Sequence, residues 1–261
     1  MRQLRLITLY LRLGILNEVQ YRVNFFSQII QSALGLFVAL GALSVIFAHT
    51  TTLNGWSSAE ILALVGVYFL IAGLINLIIQ PSMNRLMEDI QNGLLDYVLT
   101  KPEDAQLMIS VREIQMWKII DVGMGIAVLV AALVQLHEQI GWLQGGAFIL
   151  ILTCGGLMIY CFWLMLASTS FWFVRNDDVL MVFNSLYQAG RWPVEVYPGW
   201  LQFTLRFIFP VAFAVTVPVQ ALTGRLTWPT FTLTLGMTVV LLIVSRFVWG
   251  RGLRAYSGAS A

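Results

Sequence analysis

Long apolar segments without charge are the feature that most restricts how this chain can fold. Residues 25–48, 61–79 and 145–174 contain no charged side chain. An apolar helix of about 20 residues crosses the roughly 30 Å hydrocarbon layer of a bilayer. Only 11% of the residues are charged and the mean hydropathy is +0.81, whereas soluble domains are about 25% charged. The chain is therefore predicted to be an integral membrane protein.

The remaining apolar segments complete an all-α arrangement of six transmembrane helices in a single domain, 1–261. The predicted spans are 25–48, 61–80, 119–136, 145–174, 179–191 and 229–249. Pro81 is expected to end the second span. Arg206, Pro210 and Pro218 interrupt a further apolar stretch. Broken backbone at membrane depth requires cover from protein or water, so 192–228 is predicted to form outer re-entrant helices.

The positive charges predict the orientation, since cytoplasmic loops carry an excess of lysine and arginine. With six spans and the N-terminus inside, only Arg191, Arg206 and Arg225 of the 15 lysines and arginines fall on the outer side. An alternative makes 201–222 the fifth span and leaves only Arg225 outside, so charge counting slightly favours it. Both arrangements predict cytoplasmic termini.

Two segments are predicted to lie on the cytoplasmic side. Residues 1–24 carry arginines beside a leucine stripe at helical spacing, which indicates a helix along the membrane surface. In the loop 81–118, apolar residues follow helical spacing up to a stop near Gly93. That apolar set is Met83, Leu86, Met87, Ile90 and Leu94. Residues 101–104 (KPED) predict the start of a second helix that runs through Arg112 and Lys118 into the third span.

No residues for catalysis stand out. The phosphate-loop motif G-x-x-x-x-G-K-[ST] is absent, so the chain is not expected to hydrolyse ATP or to be an enzyme. No zinc-protease or serine-hydrolase motif occurs, and a net charge of +2 gives no bulk basic field for nucleic acid. Asp121 is the acid closest to a span interior, and a local ion pair with Lys118 explains it better than proton transport does.

Uncharged polar and small residues within the spans are the other candidates. Asn76, Gln80, Asn184 and Gln188 are candidate pathway residues, although hydrogen bonds between helices explain them equally well. Small residues permit close helix packing. They recur at Gly66 and Gly73, and at Gly123, Ala127 and Ala131.

Three stretches resemble the ABC-2 type exporter permeases, and within them the viologen-exporter-like branch. They are 18–25 (EVQYRVNF), 93–102 (GLLDYVLTKP) and 197–201 (YPGWL) followed by 210–213 (PVAF) and Pro218. The resemblance covers nearly the whole chain. It favours the outer re-entrant segment over the alternative fifth span.

The resemblance implies a transport subunit that binds no cofactor itself. Two ATPase subunits would carry ATP and magnesium, and a second permease would complete the complex in the inner membrane of a bacterium. Residues 83–99 would form a coupling helix, with the ATPase-coupling set Arg85, Glu88, Asp89, Gly93, Asp96, Lys101 and Pro102. Glu18, Arg22 and Asn24 would lie where the surface helix bends into the first span, with Glu18 and Arg22 able to pair. An outer cap would contain Pro198, Trp200, Pro210, Phe213 and Pro218.

Two other functions stay open at this point. A stand-alone ion-coupled secondary transporter requires an essential intramembrane acid, for which Asp121 is the candidate. A membrane-embedded lipid enzyme requires a cluster of His, Asp or Glu at one membrane face, and the sequence shows none. The sequence leaves the cargo undetermined, since relatives export drugs, lipids, peptides and glycans.

Overall fold

The computed structural model describes residues 22–102, 104–136, 141–173 and 177–256, and their regular structure is helical apart from a two-residue bridge between Leu53 and Trp56. The helices are α1 Arg22–His49, α2 Ser58–Leu74, α3 Gln80–Gln91, α4 Asp96–Leu99, α5 Ala105–Ser110, α6 Ile119–Gln135, α7 Trp142–Ser168, α8 Asp177–Ala189, α9 Gly199–Phe203, α10 Val211–Ala214, α11 Thr216–Leu222 and α12 Trp228–Ala255. The chain is an all-α membrane protein, as predicted.

Five helical segments in the described residues are long and apolar enough to cross a membrane. They are Ser27–His49, Ser58–Gln91, Met116–Gln135, Trp142–Phe171 and Trp228–Ala255. A sixth would be counted if the bent pair Gly199–Ile208 and Val211–Leu222, which meet at 72°, formed one span. The predicted surface helix, with Glu18, lies outside the described residues, whereas Arg22 and Asn24 belong to the first turn of α1.

The helix that begins at Ser58 continues past Pro81, so the prediction that Pro81 ends the second span is wrong. A π-helical turn, Ile75–Ile79, joins α2 to α3. Proline has no N–H to donate to the carbonyl four residues earlier, which here belongs to Leu77. The backbone N–H of Gln115 donates to that carbonyl instead, at 2.8 Å. A bond from a distant segment thus satisfies the acceptor that the proline leaves open.

Close packing of α2 against α6 forms one side of the core. A Cβ at Gly125 would lie 2.4 Å from the backbone nitrogen of Leu70, and a Cβ at Gly66 would lie 2.7 Å from that of Leu129. Gly73 packs in the same way against Val122. Glycine therefore permits an approach that any side chain would prevent, as predicted for Gly66 and Gly73.

The predicted small-residue stripe on α6 faces away from this contact. Gly123, Ala127 and Ala131 are exposed, and nothing lies within 4 Å of a Cβ built at Gly123. The four-residue spacing identified a helix face made of small residues. The buried face of α6 is a different one, which contains Gly125, Leu129 and Ala132. Within the described residues of one chain, no close helix contact forms at this stripe.

The two ends of the helical bundle can be identified from loop contacts. We call one the Trp56 end; it contains residues 50–57, 195 and 220–227, which hydrogen-bond to one another. We call the other the Arg112 end; it contains the end of α3, residues 92–118 and the end of α12. Phe171 lies at the second end, where it packs on Trp249, and α8 leads to the first, where Glu195 accepts a bond from Asn54.

The bent pair has two arms. The first is α9 with the π-helical turn Thr204–Ile208, and the second is α10 with α11. Both outer ends of the pair lie at the Trp56 end, where Gln220 donates to Glu195 at 2.9 Å. Its tip turns back inside the bundle, where the Phe209 ring lies 5.0 Å from that of Phe162. The second arm is buried along α7, with Ala214 against Gly155. These contacts favour the predicted re-entrant arrangement over the alternative fifth span.

Candidate functional site

A glycine turn at the end of α3 begins the most distinctive surface of the Arg112 end. Gly93 has φ +69°, a left-handed conformation that glycine adopts without steric cost. The N–H of Leu94 donates to Asp89 and that of Gly93 to Ile90, the two bonds that define a Schellman helix end. The predicted stop near Gly93 is confirmed, and the chain turns sharply into α4.

Asp89 is buried beneath this turn and holds two arginines. Its side chain is 1% exposed. Arg85 lies 3.3 Å away on the same helix, and Arg112 reaches the other carboxylate oxygen from the far side of the loop. A buried carboxylate requires such partners, because removing an unpaired charge from water is costly. Asp89 therefore fixes the loop to α3 and presents nothing to a partner protein.

The second loop helix, α5, is short. Asp104 caps it by accepting from the backbone N–H groups of Gln106 and Leu107, at 2.9 and 3.3 Å. The predicted helix start at 101–104 is confirmed, with Asp104 rather than Pro102 as its decisive residue. The prediction that this helix runs into the third span is wrong, since α5 ends at Ser110 and α6 begins at Ile119.

The interruption between α5 and α6 has a structural reason. The backbone at 111–115 leaves the helix to reach the long second helix. There the N–H of Gln115 donates to the Leu77 carbonyl, and the N–H of Glu113 donates to the Ser82 hydroxyl. The Ser82 hydroxyl donates to the Glu113 carbonyl at 2.9 Å. These bonds fix the loop to the long second helix.

A further ion pair joins the loop to the last helix. Arg246 of α12 lies 2.8 Å from Asp104 and also donates to Gln106. Gln106 in turn donates to the Tyr160 hydroxyl of α7 at 3.1 Å. Hydrogen bonding from Arg246 holds the pKa of Asp104 below its ordinary value. The loop thus contacts three long helices: α2–α3, α7 and α12.

Several side chains of this well-held loop point into solvent. We call Glu88, Leu94, Tyr97, Leu99 and Lys101 the turn surface; all are exposed, and Tyr97 is 72% exposed. Three of the five are large and apolar. Exposed apolar residues grouped on a rigid turn, with charges beside them, are typical of a protein-binding surface.

The C-terminal end of α12 lies beside the same turn. Tyr256 packs on Phe171 with ring centroids 6.0 Å apart. Desolvation raises the pKa of its hydroxyl, and the nearby carboxylates of Asp96 and Asp89 add to this. Tyr256 therefore stays neutral and adds apolar cover to the inner side of the turn.

The structure separates the predicted ATPase-coupling residues into two groups. Glu88, Lys101 and Pro102 are exposed, and Asp96 is half-buried at the start of α4. Asp89 and Gly93 instead fix the geometry of the turn, and Arg85 belongs to both groups because it pairs with Glu88 at 3.4 Å as well as with Asp89.

The predicted outer-cap residues also divide. Pro198 and Trp200 are exposed at the start of the re-entrant pair. Pro210, Phe213 and Pro218 are buried in its turn and second arm. The proline and phenylalanine positions therefore hold the re-entrant segment inside the bundle rather than forming a lid over it.

The candidate pathway residues lie in two places. Asn76 and Gln80 are half-buried around the π-helical turn, whereas Asn184 and Gln188 are exposed on α8. Asp121 is buried and pairs with Lys118 at 3.5 Å, as the sequence predicted. Lys118 also donates to Gln28 of α1, at 2.9 Å.

Sequence reasoning did not identify the partners that make the loop rigid. Arg112 pairs with Asp89, 23 residues away, and Asp104 pairs with Arg246, 142 residues away, so the spacing of these charges carries no signal. Glu60 and Arg225, which pair at 2.8 Å at the Trp56 end, were missed for the same reason. The one local signal was the Ser57–Glu60 capping box at the start of α2.

Comparison with known proteins identifies the family. The profile of the family described as ABC-2 family transporter protein matches residues 33–260. The chain therefore belongs to the ABC-2 family of membrane transporter proteins. No significant match was found among curated proteins or among solved structures.

Proposed function

We propose that the chain is the membrane subunit of an ATP-driven exporter and that the turn surface docks a separate ATPase subunit. Family membership supports a permease-type transport component. The absent phosphate loop supports an ATPase on another chain. The observation that carries the proposal is an exposed apolar turn held by a buried ion pair.

The contacts of the loop account for how force could pass from an ATPase to the membrane. A push on Tyr97 acts on a turn that is fixed to α3 through Asp89 and Arg112. Since α2 and α3 form one continuous helix, displacement of the turn displaces the whole second span. Arg246 and Asp104 extend the same displacement to α12.

The complete transporter is proposed to contain two permeases and two ATPase subunits in the inner membrane of a bacterium, with the Arg112 end and both termini in the cytoplasm. The sequence likeness to the viologen-exporter-like branch is the basis for placing the chain there. An ion-coupled transporter working alone has less support, because Asp121 is held in an ion pair.

Coupling is tested with variants of the turn surface. Tyr97→Ala and Glu88→Lys should each reduce transport-coupled ATP hydrolysis by at least about tenfold, since hot-spot contacts contribute roughly 2 kcal/mol or more. Trp228→Ala is the matched control, a similarly exposed aromatic (79%) next to the other end. Full coupling in both turn variants would reject the docking assignment.

Orientation is tested by thiol labelling in sealed vesicles of known sidedness. Both native cysteines are buried, so the background is low. Trp200→Cys should react with an impermeant reagent only from the external side, and Tyr97→Cys only from the cytoplasmic side. The reverse pattern would invert the proposed topology.

A further inference from the structure

Arg191 is a positive charge inside the bundle that lacks a carboxylate partner. Its guanidinium carbon lies 5.2 Å from the centroid of the Tyr68 ring, and its Nε is buried without a hydrogen-bond partner. Tyr68 is ten residues into α2, about 15 Å along that helix from Ser58. Tyr68 belongs to the candidate membrane span Ser58–Gln91, so the guanidinium packs against the side of that span.

Three other charged side chains of the described bundle have an oppositely charged partner. Glu60 pairs with Arg225, Asp121 with Lys118, and Glu195 with Arg206. Among the ion pairs of the described residues, none includes Arg191. Charged side chains within membrane segments usually face a water-filled path and mark a substrate or ion route.

The residues of α8 that precede Arg191 include exposed polar and apolar side chains. Asn184 and Gln188 are one helical turn apart on an exposed face, and Arg191 follows in the turn after the helix. Met181 and Val182 are exposed beside them, at 72% and 50%. One cation, two amides and two apolar side chains therefore follow one another along α8 and the turn after it.

Aromatic packing holds this surface in place. The Tyr187 ring stacks on Tyr68 at 5.0 Å, and its hydroxyl donates to the Tyr68 backbone carbonyl at 2.9 Å. Phe183 stacks on Phe162 at 5.4 Å, one turn further along α8. Since α8 is fixed on this side, its polar face is presented in a defined position.

We propose that Arg191, with Asn184 and Gln188, binds the anionic group of an amphiphilic cargo. A guanidinium and amides suit a phosphate or carboxylate, and the apolar neighbours suit its hydrocarbon part. The inference rests on the proposed transport function and names its substrate class. It excludes viologens as the preferred cargo, because a dication would be repelled by an uncompensated arginine.

The test uses the permease with its ATPase in phosphatidylcholine vesicles and two probes of equal chain length. Dodecyl phosphate should stimulate ATP hydrolysis, whereas dodecyltrimethylammonium should not. In Arg191→Gln the concentration needed for half-maximal stimulation should rise at least tenfold, and Arg191→Lys should retain most of the response. Arg251→Gln, which removes a cation packed on Phe247 near the end of α12, is the control and should behave like the native complex.

The anionic group could also belong to a bilayer phospholipid. Adding phosphatidylglycerol to the vesicles without dodecyl phosphate distinguishes the two sources. Stimulation that disappears in Arg191→Gln would identify the lipid as the anion, which supports the same site chemistry.

Three results would overturn the proposal. They are equal stimulation by both probes, stimulation by the ammonium probe alone, and an unchanged response in Arg191→Gln. The probe comparison on the native complex remains decisive if Arg191→Gln does not assemble. Failure of any ATPase subunit to co-purify with the native chain would instead reject the transport function itself.

Discussion

The ion pair that fixes the loop at the Arg112 end and the ion pair beside the re-entrant segment at the Trp56 end differ in depth. At the Arg112 end, the Asp89 side chain is 1% exposed and is held by two arginines. At the Trp56 end, Glu195 and Arg206 are 29% and 39% exposed and lie 3.6 Å apart. Breaking a buried pair leaves an uncompensated charge, whereas exposed pairs contribute about 0–1 kcal/mol. The comparison indicates a loop fixed firmly to α3 and a re-entrant pair whose own ion pair can open at low cost, although the same end also holds the deeper Glu60–Arg225 pair, in which Glu60 is 9% exposed.

The largest expected effect is at Asp89. Asp89→Asn keeps the size of the side chain but leaves Arg85 and Arg112 without their carboxylate. We expect a loss of about 2–4 kcal/mol in the free energy of unfolding, near the lower part of the range for buried pairs because both guanidinium groups are half-exposed. Thermal unfolding in detergent, followed by tryptophan fluorescence, measures it.

Glu88→Gln is the control for Asp89, since it changes an exposed acid (62%) one residue away. It should cost no more than about 0.5 kcal/mol. An equal loss in the free energy of unfolding for the two variants would show that the buried Asp89 pair does not stabilise the loop. It would contradict the account of the Arg112 end.

A smaller effect is expected at the opposite end. Glu195→Gln removes the charge facing Arg206, and should cost less than about 1 kcal/mol because both groups are partly solvated. It should nevertheless speed thiol labelling of a cysteine placed at Leu205, which is 2% exposed in the first arm of the re-entrant pair.

Two observations would contradict this view of the Trp56 end. One is a stability loss at Glu195 as large as that at Asp89. The other is unchanged labelling at position 205, measured against the same cysteine in the native background. Either would mean that the re-entrant segment is as rigid as the loop at the Arg112 end.

The smallest effect concerns the Asp104–Arg246 pair and its pH dependence. Arg246 lowers the pKa of Asp104 from its ordinary 3.8, so the pair stabilises the folded state above that value and loses its contribution as the pH falls through the lowered pKa. Since the Asp104 side chain is 45% exposed, the contribution is expected to stay within about 0.5 kcal/mol.

The matched measurement compares the melting temperatures of the native chain and Asp104→Asn. Their difference should be constant from pH 7 to pH 5 and should narrow below pH 4. A difference that grows on acidification would have the wrong sign for a lowered pKa. It would show that the pair does not join the loop to α12.

The sequence predicted what depends on local chemistry. Long apolar runs identified the five long helices, and Gly93 identified the end of α3, because both follow from burial and backbone conformation within a few residues. Pro210 and Pro218 correctly indicated a broken segment. In each case the physical cause lies in the residues themselves.

Features that depend on distant partners could not be predicted. The sequence predicted that Pro81 ends a helix. The N–H of Gln115 satisfies the Leu77 carbonyl and lets the helix continue, but it comes from another segment and has no local signal. Asp89 was predicted to contact the ATPase subunit. Its actual partner, Arg112, is 23 residues away along the chain, so spacing did not reveal the pair. Gly123 was chosen over Gly125 because spacing alone does not tell which face of α6 meets α2.

Site-specific photo-crosslinking at position 97 tests the central claim most directly. A photoreactive residue replacing Tyr97 should crosslink in membranes to a protein whose sequence contains a phosphate loop, identified by mass spectrometry, and the same residue at Trp200 should not. The account predicts a strong adduct at 97 that Glu88→Lys weakens. Adducts at 200 but none at 97, with the ATPase subunit present in the same membranes, would contradict it.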